Sequence, residues 1–290
     1  MNGILEKMFL GGEWSVAIKH KNEKSFQVKQ ENNKEYWLAD PFIFKYESKY
    51  FLFCEAYMRK TNKGVIRVFK INDDLSLEDL GNVIEQEYHM SYPHVFNTQN
   101  GIYMIPETSG NRTIELYKCI EFPLKWKLEK ILVKDIYAVD SNYFSYANKS
   151  FLVTYIYENE KTYLEIYSVD ERWNMRLLQK KEYKENTGRG AGNFIINKVS
   201  IIRPTQNQKN KYGESIYLKK CTIDQEDVYN EEVISEICID KICIDGKNEY
   251  KRIHTYNTID NIEVVDVRSE TIDLFLVWKK IKRRLYNNRA

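Results

Sequence analysis

Trp37-Leu38-Ala39-Asp40-Pro41-Phe42-Ile43-Phe44, answered by Tyr50-Phe51-Leu52-Phe53-Cys54-Glu55, is the stretch from which the fold is read. Two apolar strands flank a polar turn at 45–49, and the second strand ends on a carboxylate. Pro41 has no N–H to donate, so it suits the start of a strand rather than its middle. The hairpin recurs as Tyr92-Pro93-His94-Val95-Phe96 with Gly101-Ile102-Tyr103-Met104-Ile105-Pro106-Glu107. Pro41 and Glu55 are 14 positions apart, and so are Pro93 and Glu107. A third copy runs from Asp140-Ser141-Asn142-Tyr143-Phe144 back through Phe151-Leu152-Val153-Thr154-Tyr155. A strand repeat of roughly 50 residues is the mark of propeller blades. The fold class is therefore all-β, a five-bladed β-propeller in one domain over residues 1–278, with blades starting near 37, 90, 138, 188 and 252.

Outward from these hairpins, Glu13-Trp14-Ser15-Val16-Ala17-Ile18-Lys19 alternates as a strand does. Pairing it with the last blade would close the ring and remove two sheet edges. Outer strands are expected at 64–70 and near Val83, at 113–118 and 127–133, and at 163–168 and 175–180. The fourth blade opens on Gly188-Arg189-Gly190-Ala191-Gly192-Asn193-Phe194, returns through 199–204 and ends with 212–220 and 232–238. No Lys-Ser/Thr follows those glycines and no helix is signalled, so close backbone packing near the axis is preferred to a phosphate loop. The fifth blade heads on Arg252-Ile253-His254-Thr255-Tyr256-Asn257, followed by 262–267 and 271–278. Residues 279–290 form a basic tail, read either as a solvated chain end or as a peripheral contact with an anionic membrane, where each charge contributes roughly 1 kcal/mol.

Forty-four basic and 42 acidic residues leave +2, so no strong field points to nucleic acid. The 22 Tyr, 13 Phe and 5 Trp suit strands. Cys54, Cys119, Cys221, Cys238 and Cys243 are odd in number and lack CxxC spacing, which argues for a reduced compartment and against a disulfide framework or zinc site. The start of the chain has no signal-peptide pattern, and no run approaches the roughly 18 apolar residues of a spanning helix. A cytoplasmic protein is expected, and the Lys/Asn/Ile-heavy composition suggests an AT-rich bacterial genome.

In a propeller the innermost strand lines the channel and its neighbour runs antiparallel. The start of one and the end of the other therefore meet at the same mouth. This geometry puts Asp40 beside Glu55, Glu107 beside Tyr92, and Asp140 beside Tyr155. Like charges in one cleft push at least one pKa upward, and a protonated carboxyl opposite an ionised one suits glycosidic chemistry. Asp40, Glu55, Glu107 and Asp140 are the catalytic candidates. A strand-end carboxylate on its own is more often solvated or capping a turn; recurrence at matching positions favours function here. His89, Tyr92, His94, Arg189, Arg203, Gln206 and His254 are the substrate-binding candidates. Arg203 would hold a phosphate or carboxylate bidentately, or pair with a mouth carboxylate. No metal site is assigned, although mouth carboxylates have the oxygen ligands that suit Ca²⁺.

Asp40-Pro41-Phe42, Ser91-Tyr92-Pro93-His94-Val95-Phe96, Tyr103-Met104-Ile105-Pro106-Glu107 and Phe122-Pro123-Leu124-Lys125-Trp126 resemble the N-terminal propeller domain of plant glucosamine inositolphosphorylceramide transferases. Stand-alone bacterial relatives of that domain occur in surface-polysaccharide contexts. Val139-Asp140, Arg189-Gly190-Ala191-Gly192, Arg203-Pro204-Thr205-Gln206, Tyr212-Gly213 and His254-Thr255 extend the likeness over roughly 14–260. The domain is in turn similar to the five-bladed propellers of glycoside hydrolase family 43. That similarity implies an Asp base on the first blade, matched by Asp40, with an Asp that tunes pKa and a Glu acid from the next two. The second blade starts with Tyr92 instead, and the third offers Asp140 in the place of the Glu; Glu107, on the neighbouring strand, is available for one of these roles.

Three functions follow. The first is a glycosyltransferase of cell-surface polysaccharide assembly of the capsule or O-antigen kind, taking a nucleotide-sugar donor and a glycan or lipid-linked acceptor. The second is a hydrolase of the family-43 type, and the third a non-catalytic glycan-binding propeller.

Overall fold

The computed structural model describes residues 10–29, 33–197, 200–245, 250–269 and 271–272. Their architecture is a five-bladed β-propeller. The basic tail at 279–290 lies outside the described residues. Among those residues no helix is long and apolar enough to cross a membrane.

Blade 1 is a meander of Tyr36–Tyr46, Lys49–Met58, Lys63–Ile71 and Leu77–Ile84. Blade 2 runs Ser91–Thr98, Gly101–Thr108, Thr113–Glu121 and Lys125–Lys134. Blade 3 runs Ala138–Tyr146, Lys149–Glu158, Lys161–Val169 and Met175–Tyr183. The hairpin strands are continuous apolar runs because both of their faces are covered. Leu52, Cys54 and Ala56 pack towards Val16, Ile18 and Val264 of the fifth blade. Their alternates Phe51 and Phe53 pack towards Val95, Met104 and Tyr117 of the second. Five apolar clusters result, one between each pair of neighbouring blades around the whole ring. A fully buried side chain such as Leu52 or Phe53 contributes roughly 1.5–3 kcal/mol to this packing.

Both ends of the described chain build the fifth blade. Tyr250–Ile259 and Ile262–Ser269 pair with Trp14–His20 and then Ser25–Lys29, with Ala17 opposite Val265. Of the residues expected to complete this blade at 271–278, the two described ones take another place. Thr271–Ile272 pairs with Leu10–Gly11 in a separate two-stranded ribbon, and 273–278 lie outside the described residues. The N-terminal strands occupy the outer positions instead, which fastens one end of the chain to the other.

In four blades the inner hairpin carries the same bulge. Two inner-strand residues oppose one on the second strand: Asp40-Pro41 opposite Cys54, Tyr92-Pro93 opposite Pro106, Asp140-Ser141 opposite Thr154, and His254-Thr255 opposite Asp266. Asp40, Tyr92 and Asp140 take left-handed backbone angles there, with φ of 48°, 47° and 50°. Such angles at non-glycine residues cost about 1–3 kcal/mol each and recur at functional sites. Blade 4 has only Ile195–Ile196 as its inner strand, plus one bridge between Gly190 and Thr205. Gly192 (φ +134°) passes so close to blade 5 that a Cβ would lie 2.0 Å from the Tyr256 carbonyl oxygen. Only glycine fits.

The Tyr92 hydroxyl ties three blades together. It accepts from the Gly192 N–H (2.8 Å) and faces Asn142 Oδ1 (3.0 Å) and the Gly192 carbonyl (3.1 Å) as a donor. Removing it leaves buried polar groups without partners. Tyr92→Phe is therefore expected to lower the urea unfolding free energy by about 1–3 kcal/mol while the variant still folds; an unchanged midpoint would contradict the tie.

Candidate active site

The bulges bring acidic groups from three blades to one mouth of the channel. Asp40 Oδ2 accepts the Tyr92 backbone N–H (3.1 Å), and its Oδ1 accepts the Thr255 hydroxyl (2.9 Å). Asp140 Oδ2 accepts from Gln206 Nε2 (2.9 Å) and from Arg189 Nε. Arg189 Nη2 lies 3.3 Å from Asp140 Oδ1 and 3.2 Å from Glu107 Oε2, so one guanidinium nitrogen bridges blades 2 and 3. Ser109 Oγ donates to the other Glu107 oxygen at 2.7 Å. Glu55 stands apart. Its Oε1 is buried with no hydrogen-bond partner, and His89 Nε2 approaches it at 3.5 Å. Since His89 Nδ1 accepts the Gly64 N–H (2.9 Å), its proton sits on Nε2, facing Glu55.

Solvent reaches this group unevenly. The Arg189 side chain is 20% exposed and that of His89 42%, whereas Asp140 is 1% exposed. An incoming ligand meets the guanidinium and the imidazole first. Tyr212 completes this surface, its ring 5.9 Å from the Arg189 guanidinium carbon.

Burial and like charge set the protonation states. Burial lifts Glu55 well above the ordinary carboxylate range, and the carboxylates of Asp40 and Glu107 add to the effect. Burial pushes Asp140 up to about 7; Arg189 opposes this, and Glu107 adds to it. Asp40 is raised by burial too, with His254 opposing and Asp140 and Asp266 reinforcing. For His254, burial works against the charge, but Asp266 and Asp40 outweigh it and its pKa rises. Glu55, its pKa raised, thus shares the mouth with a guanidinium-bound carboxylate pair, an arrangement that suits acid–base chemistry.

Asp266 was not among the residues singled out from the sequence. It accepts the N–H groups of Asp40 (3.1 Å), His254 (3.0 Å) and Thr255 (2.8 Å), and its Oδ2 lies 2.6 Å from His254 Nδ1. One carboxylate inside the apolar run Val264-Val265-Asp266-Val267 was the available signal. His254 Nε2 is 3.3 Å from Asp40 Oδ1, and the imidazole lies against Trp14 at a 31° tilt with centroids 4.0 Å apart. Asp40, His254 and Asp266 each offer a ligand atom within 4.8 Å of the others, a buried oxygen–nitrogen set able to hold a divalent cation.

Three candidates lie elsewhere. Arg203 is fully buried, pairing with Glu231 (3.1 Å) and donating to the Gly188 carbonyl (2.6 Å), beside a second ion pair from Lys219 to Glu231 (2.8 Å). It pairs within its own blade with the desolvated Glu231, and its complete burial, rather than a full set of partners, keeps it from a ligand; its Nε has no hydrogen-bond partner. His94 donates from Nδ1 to Asn193 Oδ1 (2.7 Å) and accepts the Tyr143 N–H at Nε2 (3.0 Å), as a neutral imidazole does, and burial lowers its pKa to about 4. It clamps blades together. The buried Tyr92 side chain serves the same end, and only its backbone N–H touches the mouth. Gln206 stays in the site as a positioning residue, its amide also donating to the Gly190 carbonyl at 2.7 Å.

With this geometry in hand, comparison with known proteins assigns the chain. The sequence profile described as glucosamine inositolphosphorylceramide transferase 1, N-terminal, matches residues 14–268. The chain belongs to that family. Two proteins named glucosamine inositolphosphorylceramide transferase 1 are similar to it: one from Oryza sativa subsp. japonica, 31% identical over 196 residues (63% of this chain), and one from Arabidopsis thaliana, 30% identical over 203 residues (67% of this chain). The match spans 26% of each relative, so the chain corresponds to about a quarter of their length. Both are plant proteins and give no support to the bacterial source suggested by composition. Among solved structures, a family 117 glycoside hydrolase from Zobellia galactanivorans superposes with a TM-score of 0.57 at 12% identity, covering 92% of both chains. The catalytic domain of a GH62 α-L-arabinofuranosidase from Coprinopsis cinerea gives 0.59 at 10% identity, covering 89% of this chain and 98% of that one. At such identities the likeness is one of fold.

The raised Asp140 pKa has a stability consequence. Unfolded, its carboxyl loses its proton near 3.8; folded, near 7. Its contribution is fully present below the lower value and is lost as pH rises through the upper one. The stability of the wild type relative to Asp140→Asn is therefore expected to fall between pH 3.8 and about 7. Urea unfolding of both proteins across that window checks it, and a pH-independent difference would contradict the assignment.

Proposed function

We propose that this propeller is a glycosyltransferase acting at the carboxylate mouth, in the assembly of a cell-surface or lipid-linked glycan. The observation that carries the proposal is the solvent-facing Arg189 guanidinium, anchored on Glu107 and Asp140 beside the protonated Glu55. An Arg held in this way meets a phosphate of a nucleotide-sugar donor or of a phosphoinositol-type acceptor. The relatives' name carries a phosphate-bearing acceptor of that type, inositolphosphorylceramide.

In the step proposed, an acceptor hydroxyl attacks the anomeric carbon and its proton passes to the Asp140–Glu107 pair. The bond from the anomeric carbon to the donor phosphate oxygen breaks, and the departing diphosphate takes the electron pair. Arg189 stabilises the charge that develops, and Glu55 supplies a proton where one is needed. Asp40, held by Tyr92, Thr255 and His254, keeps the floor of the site fixed. The cytoplasm is the compartment this reading calls for, because activated sugar donors are made there.

A protonated Glu55 next to paired carboxylates also suits hydrolysis of a glycosidic bond, which is the second reading. A thermal-shift screen of nucleotide sugars, nucleotides and neutral oligosaccharides separates the two. Transfer predicts a shift with a nucleotide sugar and a loss of about 100-fold or more in turnover for Glu107→Gln and for Asp140→Asn. Unimpaired turnover in both folded variants removes the mechanism, and release of reducing sugar without any nucleotide selects hydrolysis.

A further inference from the structure

The face of the ring opposite the mouth carries a cavity of about 690 Å³. Its walls are the turns at the far ends of the same strands: Gln99-Asn100 of blade 2, Asn148-Lys149 and the 170–174 turn of blade 3, and Asp227 of blade 4. None of the mouth residues takes part.

One wall is rigid. Asp170 Oδ1 accepts the N–H groups of Arg172 (2.9 Å) and Asn174 (2.8 Å), while Lys130 Nζ donates to the Trp173 carbonyl (2.9 Å) and to Asn174 Oδ1 (3.1 Å). This frame holds Trp173 at φ +62°, an outlying angle for so bulky a residue. Its indole packs on Tyr103 (4.7 Å between centroids), Tyr143 (5.5 Å) and Phe96 (5.9 Å) and lines the cavity from that platform.

The other walls are polar and evenly distributed. The hydroxyls of Tyr143, Ser145 and Ser150 form a connected trio at 2.7–3.2 Å. Among the described residues, the amides of Asn97 and Asn148 and the Arg176 guanidinium make no side-chain hydrogen bond or ion pair, yet all three border the cavity. Lys149 is bound to Asp227 at 2.5 Å. With Asp170 and Glu171 also present, acidic groups in the lining outnumber basic ones, which disfavours a phosphate or a polyanion. An aromatic platform with hydroxyls and unengaged amides around it matches a neutral polyol, whose C–H faces stack while its hydroxyls both donate and accept.

We propose that this cavity is a second saccharide-binding site, taking a neutral glycan segment and working independently of the channel mouth. A glycan held there would raise the local concentration of its other segments around the same propeller. The proposal does not depend on which reaction, if any, the mouth performs.

Native affinity electrophoresis of the full chain in gels containing arabinan, xylan, galactan, mannan or β-glucan tests it. Retardation is expected in at least one gel. Trp173→Ala should weaken it by about tenfold or more. The double variant Asn97→Ala, Asn148→Ala, both at exposed positions, should weaken it in the same direction without touching the aromatic stack. Arg189→Met, at the opposite mouth, should leave it unchanged. The proposal is overturned if none of the five gels retards the protein, if retardation survives the double variant, or if only Arg189→Met abolishes it.

Discussion

The structure turns on one electrostatic balance. Blades 1 to 3 send Asp40, Glu55, Glu107 and Asp140 to a single mouth, and blades 4 and 5 answer with Arg189 and His254. Carboxylates withdrawn from water at this density repel one another and lose hydration, so the ring is tolerable only if cations arrive from the other side. Arg189 bridges blades 2 and 3 to blade 4, and His254 joins blade 1 to blade 5. Where the answering charge falls short, proton affinity rises: Glu55 Oε1 has no hydrogen-bond partner, and its pKa is lifted well above the ordinary carboxylate range.

The second constraint is the backbone. The side chains at Asp40 and Asp140 reach neighbouring blades because a two-for-one bulge interrupts strand alternation at the start of the inner strand. In blades 1 to 3 the bulge places a non-glycine residue in the left-handed region, and carboxylates fasten the bulged backbone. Asp266 holds that of blade 5 through the N–H groups of His254 and Thr255, and Asp40 holds that of blade 2 through the Tyr92 N–H. The residues that line the mouth are in this way also the residues that stabilise it. Substitutions at Asp40, Asp266 or Arg189 therefore affect stability as well as chemistry, whereas Glu55, whose Oε1 makes no hydrogen bond, carries less of the framework.

Much of this was legible in the amino-acid sequence, for a physical reason. Hairpins buried on both faces are written as unbroken apolar runs, and three such runs at matched spacing expose the blade. Carboxylates at equivalent strand ends then fall at one mouth by geometry alone. What escaped the sequence were partners set by tertiary packing. Arg203 resembled an anion ligand because it ends an apolar strand, yet the desolvated Glu231 claims it. His94 and Tyr92 sit within the most characteristic motif and act as clamps, their contacts lying some 50 to 100 positions away. Asp266 was passed over because a carboxylate in mid-strand has no visible purpose until the bulge opposite it is known. The strand at 13–19 was legible as the closure of the last blade, whereas Thr271–Ile272, expected in that blade, pairs with Leu10–Gly11, since alternation marks a strand without naming its neighbour.

The most direct measurement is a carboxyl-carbon NMR titration of the full chain labelled at aspartate and glutamate. The account predicts that Asp140 titrates near 7 and that Glu55 remains protonated well above the ordinary range, with both assignments fixed by Asp140→Asn and Glu55→Gln. It also predicts that Arg189→Met raises the Asp140 midpoint further, because the opposing cation is lost. Aspartates and glutamates that all titrate below about 5, as unperturbed groups do, would contradict the shared acidic mouth.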